Sequence, residues 1–187
     1  MAAVPTNISI KELLTVVMPD ISKKALEEQG RIAELSGTEV TMTVETSSDK
    51  YSFVIKDGVN ITVSEGDMPS PNVRMAISDN DLQKMIAQGE LDMLLGMSTD
   101  MSAQKVSTLK QLSGAMKVNL ANDDGSCYTI STVFNGAQSP ACTMNMKTSD
   151  SAAIMKKEAS PVTLFMSGQI TMDGDMGFAM GFQPLVT

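Results

Sequence analysis

The sequence contains no histidine and only two cysteines, Cys127 and Cys142, among its 187 residues. Without histidine the chain cannot build a Ser-His-Asp or Cys-His catalytic unit, and it cannot bind zinc through imidazole. Two thiols in separate predicted strands are typical of buried free cysteines in a reducing compartment, although a disulfide or a reactive thiol stays open. No other pattern suggests a catalytic centre, so we expect no enzymatic activity, no metal site and no cofactor.

Positive charge and long apolar runs are also scarce. The net charge is −8, and the longest basic clusters are the pairs Lys23-Lys24 and Lys156-Lys157. This balance argues against binding of nucleic acid, which requires a positive face. No apolar run approaches the roughly 20 residues of a membrane span, and the N-terminus has no signal-peptide pattern. We therefore expect a cytoplasmic protein without stable membrane insertion, and the oligomeric state stays open.

Methionine is the residue that the chain has in excess, with 17 Met against five Phe and two Tyr. Its side chain is flexible and polarizable, so it fills irregular spaces and adapts to different shapes. One interpretation is a core that happens to be rich in methionine, and the other is a pocket for a variable apolar ligand. Four methionines cluster near the C-terminus, which favours the pocket there: Met166, Met172, Met176 and Met180.

The C-terminal stretch, residues 161–184, is apolar and carries no charge after Asp175. Alternation between Gln169 and Asp173 predicts a half-buried strand, and Asp173-Gly174 predicts the turn that follows it. Asp175 then stands where an N-cap oxygen accepts hydrogen bonds from the first amides of a helix. A surface helix would carry charge on one side, so we expect the helix that follows to be buried or to cover something apolar.

This stretch resembles the C-terminal signature of the sterol carrier protein 2 (SCP2) family. The resemblance lies in the pattern Gly168-x-Ile170-x-Met172-x-Gly174-x-Met176-Gly177-x-Ala179-Met180, preceded by Ala141–Met146 and by Ser149-Asp150. It implies an α+β fold, with mostly antiparallel strands, helices that cover one face, and an apolar cavity. It also implies binding and transfer of sterols, fatty acids or their coenzyme A esters.

The region before residue 78 predicts four strands. Alternating apolar residues occur at 40–44, 51–55, 59–63 and 73–77, and Asp57-Gly58 is a typical hairpin turn between the second and third of them. Because the four strands follow one another with short connections, the pattern predicts an antiparallel meander with one apolar face. Such a face requires a covering layer.

Several short motifs occur twice in the chain. Leu35-Ser36-Gly37 returns as Leu112-Ser113-Gly114, and Asp57-Gly58 is matched by Asn135-Gly136. We interpret this as a duplication into two SCP2-like modules, residues 8–97 and 98–187. The first lacks the last strand, and the second lacks the third strand but carries the family signature. The two modules could also be merged into one compact unit.

We predict that the ligand is a lipid or another long apolar molecule, which the protein binds and transfers without catalysis. A lipid chain gains about 0.8 kcal/mol for each buried methylene, so no charged anchor is required. The residues predicted to line its cavity are apolar: Phe53, Ile55, Met85, Ile86, Leu94, Leu95, Ile154, Met155, Leu164, Phe165, Ile170, Met172, Met176, Phe178, Met180 and Phe182.

Two alternatives to lipid transfer remain open. The first is a domain that binds acyl-coenzyme A or coenzyme A, for which Lys110, Lys156 and Lys157 are the candidate phosphate ligands. The second is a protein-interaction module whose core is filled and binds no ligand.

Overall fold

The computed structural model describes residues 4–186, which form helices and one β-sheet. The helices are α1 (Ile10–Glu12), α2 (Met18–Glu28), α3 (Asp79–Gln88), α4 (Asp92–Thr99), α5 (Ala103–Gln111), α6 (Thr148–Met155), α7 (Pro161–Met166) and α8 (Met176–Val186). A π-helical turn, Leu13–Val17, connects α1 to α2, and a 3-10 turn spans Ala33–Leu35. The strands are β1 (Glu39–Glu45), β2 (Lys50–Lys56), β3 (Asn60–Glu65), β4 (Val73–Ile77), β5 (Gly114–Ala121), β6 (Cys127–Phe134), β7 (Ala141–Lys147) and β8 (Thr171–Gly174).

The strands form one mixed sheet in the order β3-β2-β1-β4-β6-β5-β7-β8. Neighbouring strands are antiparallel except in two pairs, β1–β4 and β5–β7, which are parallel. The predicted α+β fold with a mostly antiparallel sheet is therefore confirmed. The antiparallel meander, in contrast, is wrong, because β4 does not follow β3 in the sheet. It lies beside β1 and parallel to it, with Met42 opposite Val73.

The sheet continues without a break across residues 97 and 98, the predicted boundary between two modules. Strand β4 pairs with β6 from Val73–Phe134 to Ile77–Ile130, so the two halves of the chain share one sheet. Within that sheet the strands β2-β1-β4 and β6-β5-β7 have the same order and the same relative directions. These pairings do not test where one module ends, and the duplication stays a prediction.

One face of the sheet is apolar and packs against the helices. Val44 and Val118 on the strands belong to the same core cluster as Leu82 on α3 and Leu109 on α5. The opposite face is polar, and there the side chains of Asn119 and Asn145 are joined by a hydrogen bond of 2.8 Å between neighbouring strands. The period-two alternation of each strand separates these faces.

The C-terminal elements follow the sequence pattern closely. Strand β8 pairs antiparallel with β7, and Ile170, just before it, is buried. The backbone N–H of Phe178 donates a hydrogen bond of 2.7 Å to Oδ1 of Asp175, which caps α8 as predicted. The two thiols are free and differ in burial, since Cys142 is buried but Cys127, at the start of β6, is exposed. The prediction that both cysteines are buried is therefore wrong for Cys127.

Candidate functional site

An apolar space lies between the sheet and the helices α2, α4 and α5. Its walls come from strands β1 to β6 on the sheet side. On the helix side they come from residues between Leu14 and Leu26, from Leu82 of α3, from residues between Met93 and Leu109, and from Phe182 of α8. The space open to the centre of a water molecule is about 110 Å³. We call this space the Met-lined cavity.

Seven methionines among the described residues contribute to the wall of this cavity, and they give it its name. They come from both layers of the fold: Met18, Met42, Met75, Met93, Met97, Met101 and Met116. Thioether side chains can change rotamer at little cost, so a wall built from them can move to fit an occupant. The structure thus places the methionine-rich pocket around α4 and the sheet centre.

Polar groups are almost absent from the wall of the cavity. Among the described residues that line it, the side-chain hydroxyls are those of Ser22, Ser98 and Thr132, and none of the side chains is charged. Ser22 donates a hydrogen bond of 2.9 Å to Ser98, and Ser98 donates one of 3.0 Å to the carbonyl of Leu95. Since these two hydroxyls already have partners, the cavity offers mainly apolar surface.

The cavity is small for a lipid chain. A volume of about 110 Å³ exceeds the roughly 10–15 Å³ that one water needs, but lies below the roughly 300–1,000 Å³ of typical ligand pockets. A long chain would therefore enter only if the methionine side chains moved outward.

Four of the predicted ligand-binding residues line the Met-lined cavity, namely Phe53, Ile55, Leu94 and Phe182. Six others are buried in the core outside its wall: Met85, Ile86, Leu95, Ile154, Ile170 and Phe178. Met155, Leu164, Phe165 and Met172 are partly buried and pack against the core, also outside the cavity wall.

The two remaining predicted residues, Met176 and Met180, lie on the outer face of α8. Their exposed fractions are 42% and 56%, so they do not line the Met-lined cavity. The lack of charge in this stretch predicted a helix that is buried or that covers something apolar. The buried residues of α8, Phe178, Ala179, Phe182 and Leu185, form one helical face that covers the apolar core, and the other face is exposed.

Sequence reasoning missed the methionines of the strands as cavity residues. Met42, Met75 and Met116 occupy inward positions of β1, β4 and β5, where the alternation already placed them on the apolar face. The sequence pattern that could have identified them is a methionine at an inward position in each of three strands. The cluster of methionines along one stretch of sequence did not identify the cavity.

Three phenylalanines, Phe134, Phe178 and Phe182, pack together beside the cavity, and we call them the phenylalanine cluster. The ring centroid of Phe134 lies 6.2 Å from that of Phe178 and 5.9 Å from that of Phe182. Gly114 makes room for this cluster, since a Cβ there would lie 2.6 Å from the Phe178 ring and 2.5 Å from the Pro140 carbonyl oxygen. The φ angle of Gly114, 145°, also favours glycine.

An ion cluster at Asp100, just after α4, joins the segment after α2 to α5 and to the segment after α6. Asp100 lies within 3.2 Å of Arg31, 2.9 Å of Lys105 and 2.9 Å of Lys157. Burial acts to raise the pKa of Asp100, but hydrogen bonds from the ammonium groups of Lys105 and Lys157 outweigh it, and the net pKa is lowered. The carboxylate is therefore held ionised between three cations, next to Met101 of the cavity wall.

The lysines considered for coenzyme A already have partners in two of three cases. Lys156 forms an ion pair of 3.2 Å with Asp92, and Lys157 forms its pair with Asp100. Phosphate binding would have to compete with these carboxylates. No group of three or more potential metal ligands occurs in residues 4–186, and no helix in that range is long and apolar enough to cross a membrane.

Comparison with known proteins finds a family match over the second part of the chain. Residues 101–187 match the SCP-2 sterol transfer family. No curated protein matches the chain.

Solved structures of related type show a looser likeness. One is sterol carrier protein 2 from Yarrowia lipolytica in its apo form, with 20% identity and a TM-score of 0.35 over 42% of this chain and 75% of that one. Another is sterol carrier protein domain 2 of Helicoverpa armigera, with 18% identity and a TM-score of 0.39 over 54% of this chain and 84% of that one. A UbiJ-SCP2 ubiquinone synthesis protein has 11% identity and a TM-score of 0.29 over 96% of this chain and 93% of that one. TM-scores this low carry no conclusion about function.

Proposed function

We propose that this protein binds the apolar chain of a lipid in the Met-lined cavity and transfers it in the cytoplasm without catalysing a reaction. The observation that carries the proposal is the wall of the cavity, which combines seven methionines with no charged side chain among the residues described there. The family match over residues 101–187 supports lipid binding in general. Sterols, fatty acids and fatty acyl esters are the candidate ligands.

Burial of methylene groups is the proposed source of affinity. Each methylene that leaves water contributes about 0.8 kcal/mol, and the ordering of the ligand and the displacement of methionine side chains reduce that gain. Affinity should therefore rise with chain length until the widened cavity is filled.

A displacement assay tests this proposal. A fluorescent fatty acid analogue is bound to the protein and displaced by saturated chains of eight to sixteen carbons. We expect the displacing concentration to fall several-fold for each pair of added carbons over part of this range. A concentration independent of chain length would contradict an apolar binding cavity.

A filled-core interaction module is the second candidate, because the cavity is small. In that case the space of about 110 Å³ would be a packing defect, and no chain would enter it. Native mass spectrometry of the purified protein separates the two functions. A co-purifying lipid supports transfer, bound coenzyme A supports the ester-binding alternative, and a bare protein that displaces no probe supports the interaction module.

We further propose that the fold is a merged duplication. The shared directions of β2-β1-β4 and β6-β5-β7 support it, since each set joins an antiparallel pair to a parallel one. The two sets also end alike: β6 pairs antiparallel with β4, the last strand of the first set, and β8 pairs antiparallel with β7, the last strand of the second set. On this view the Met-lined cavity belongs to both copies, because β1 and β5 each contribute to its wall.

A further inference from the structure

A second, polar cavity lies where three segments meet at the end of β5. Its wall is formed by residues 89–93, from the end of α3 to the start of α4, by residues 120–123 at the end of β5, and by residues 148–152 of α6. Its volume is about 150 Å³. We call this space the polar pocket.

The polar pocket is rich in oxygen acceptors. Three carboxylates line it, those of Glu90, Asp92 and Asp123. The Tyr128 hydroxyl donates a hydrogen bond of 2.7 Å to Oε2 of Glu90, and Lys156 pairs with Asp92 at 3.2 Å. Glu90 and Asp92 are thus held in place by partners, and one cation offsets part of the negative charge.

One buried hydroxyl in the wall of the pocket has no hydrogen-bond partner among the described residues. Ser151 lines the pocket and is only 2% exposed, and its Oγ has no hydrogen-bond partner. Buried hydroxyls in folded proteins nearly always have a partner, and an unpaired one costs free energy. The first turn of α6 lies at the pocket, and Lys147 at its N-cap position makes no side-chain capping hydrogen bond to the helix amides.

Met93 connects the two cavities. Its side chain is half-buried and lines both the Met-lined cavity and the polar pocket. A rotamer change of this flexible side chain would alter the wall that the two cavities share. An elongated molecule with one apolar end and one polar end would then occupy both.

The mixture of acceptors and donors in the polar pocket selects the chemistry of that polar end. A carboxylate or phosphate head would be brought beside Glu90, Asp92 and Asp123, and like charges repel strongly where water is partly excluded. An uncharged hydroxyl can donate to a carboxylate and accept from Ser151 or from an amide of α6.

We propose that the polar pocket binds the head group of an amphipathic ligand whose tail occupies the Met-lined cavity, and that this head group is uncharged and bears a hydroxyl. The inference rests on the proposed lipid-binding function and narrows its ligand class. It favours long-chain alcohols, monoacylglycerols and sterols over fatty acid anions and coenzyme A esters.

Competition between two ligands of equal tail length tests the inference. 1-Dodecanol and dodecanoate each displace the fluorescent probe at pH 7, and the ratio of their displacing concentrations is the head-group preference. We expect dodecanol to displace the probe at a concentration at least ten-fold lower. An alcohol also partitions more readily into any apolar space, so the change of this ratio in variants decides the question.

Glu90→Gln removes one negative charge from the polar pocket and keeps an oxygen that accepts from Tyr128. We expect it to reduce the preference for dodecanol at least three-fold, chiefly because dodecanoate binds better. Glu28→Gln is the matched control, since Glu28 is exposed at the end of α2 and lines neither cavity. Equal changes in the two variants would mean that only net charge matters and would overturn the inference.

Ser151→Ala provides a second variant that does not depend on charge. Removing an unpaired hydroxyl should leave the melting temperature unchanged or raise it, so the variant is expected to fold. We expect dodecanol to bind three- to ten-fold more weakly, while the probe keeps its affinity. Unchanged dodecanol affinity would contradict a role for Ser151. If no chain displaces the probe from the unmodified protein, the proposed function fails as well, whereas chain-length dependence without head-group effects removes only this inference.

Discussion

The Met-lined cavity and the phenylalanine cluster are neighbouring apolar regions with opposite packing. Phe134, Phe178 and Phe182 are at most 5% exposed, and their rings meet at tilted angles of 56–57°. The cavity beside them is equally apolar but leaves a space of about 110 Å³. Phe134 and Phe182 also form part of its wall, so the two regions share a boundary.

The difference between them lies in side-chain shape and stiffness. An aromatic ring has few rotamers and a large contact area, so three rings lock one end of the core in a single arrangement. Methionine has three rotatable bonds and adapts to its surroundings. We infer that the cluster supplies stability and that the cavity supplies adaptability, and the following variants test this division.

Phe178→Ala should have the largest effect, on stability. The side chain is 5% exposed and lies behind the cavity wall, so truncation removes packed contacts and creates a void. We expect the free energy of unfolding to fall by about 3–5 kcal/mol, as for other buried phenylalanines. Chemical denaturation measures the loss, and a lipid titration below the unfolding transition should give unchanged affinity per folded molecule. A stability loss below about 2 kcal/mol with weaker binding would place Phe178 at the ligand.

Asp100→Asn should have an intermediate effect on stability, because it weakens an ion cluster beside the cavity and changes none of the residues that line the cavity. The substitution leaves Arg31, Lys105 and Lys157 close together without their shared anion. We expect a loss of about 2 kcal/mol at pH 7, in the range of hydrogen bonds to charged groups. Equilibrium unfolding in urea measures it.

The same variant has a defined pH dependence. The pKa of Asp100 is lowered in the folded protein, so its stabilisation is present above the unfolded pKa of about 3.9 and is lost as the pH falls through the folded value. The difference between the unmodified protein and Asp100→Asn should therefore shrink as the pH falls from about 5 towards 2. A difference that stays constant over this range would contradict the ion cluster.

Met97→Ala should cost less stability than Phe178→Ala and more binding. Met97 is half-buried on α4 and faces a space that is already open, so fewer packed contacts are lost. We expect a loss of about 1–2 kcal/mol in unfolding free energy and a several-fold change in lipid affinity. Thermal unfolding and probe titration on the same sample measure the loss of stability and the change in lipid affinity. Unchanged affinity with a large stability loss would assign Met97 to a filled core.

Met180→Gln should have the smallest effect on both quantities. Met180 is 56% exposed on the outer face of α8 and lines neither cavity. Surface substitutions of this kind usually change stability by less than about 0.5 kcal/mol. The same two measurements apply, and Met97→Ala is the methionine control. If Met180→Gln weakened lipid binding, Met180 would contact the ligand, as the sequence predicted, and this prediction would be wrong.

The local structure of this protein was largely determined by its sequence. Period-two alternation set the strands and the face that each turns to the core, as at Val40 and Val118. The turns at Asp57-Gly58 and Asn135-Gly136 adopt the positive φ angles that such pairs favour, 53° and 72° in the first and 49° and 74° in the second. These features depend on a few adjacent residues, so a linear pattern contains them.

The position of the cavity was decided only by the tertiary structure. Alternation states which face a strand buries but not which strand lies beside it, so nothing local indicated that β4 pairs with β1 and β6. The methionines that line the cavity come from residues 18 to 116 and meet only when those strands and α4 are packed together. Met176 and Met180, which share a stretch of sequence, lie one helical turn apart on the exposed face of α8, because the packing of that helix turns its other face, with Phe178 and Phe182, to the core.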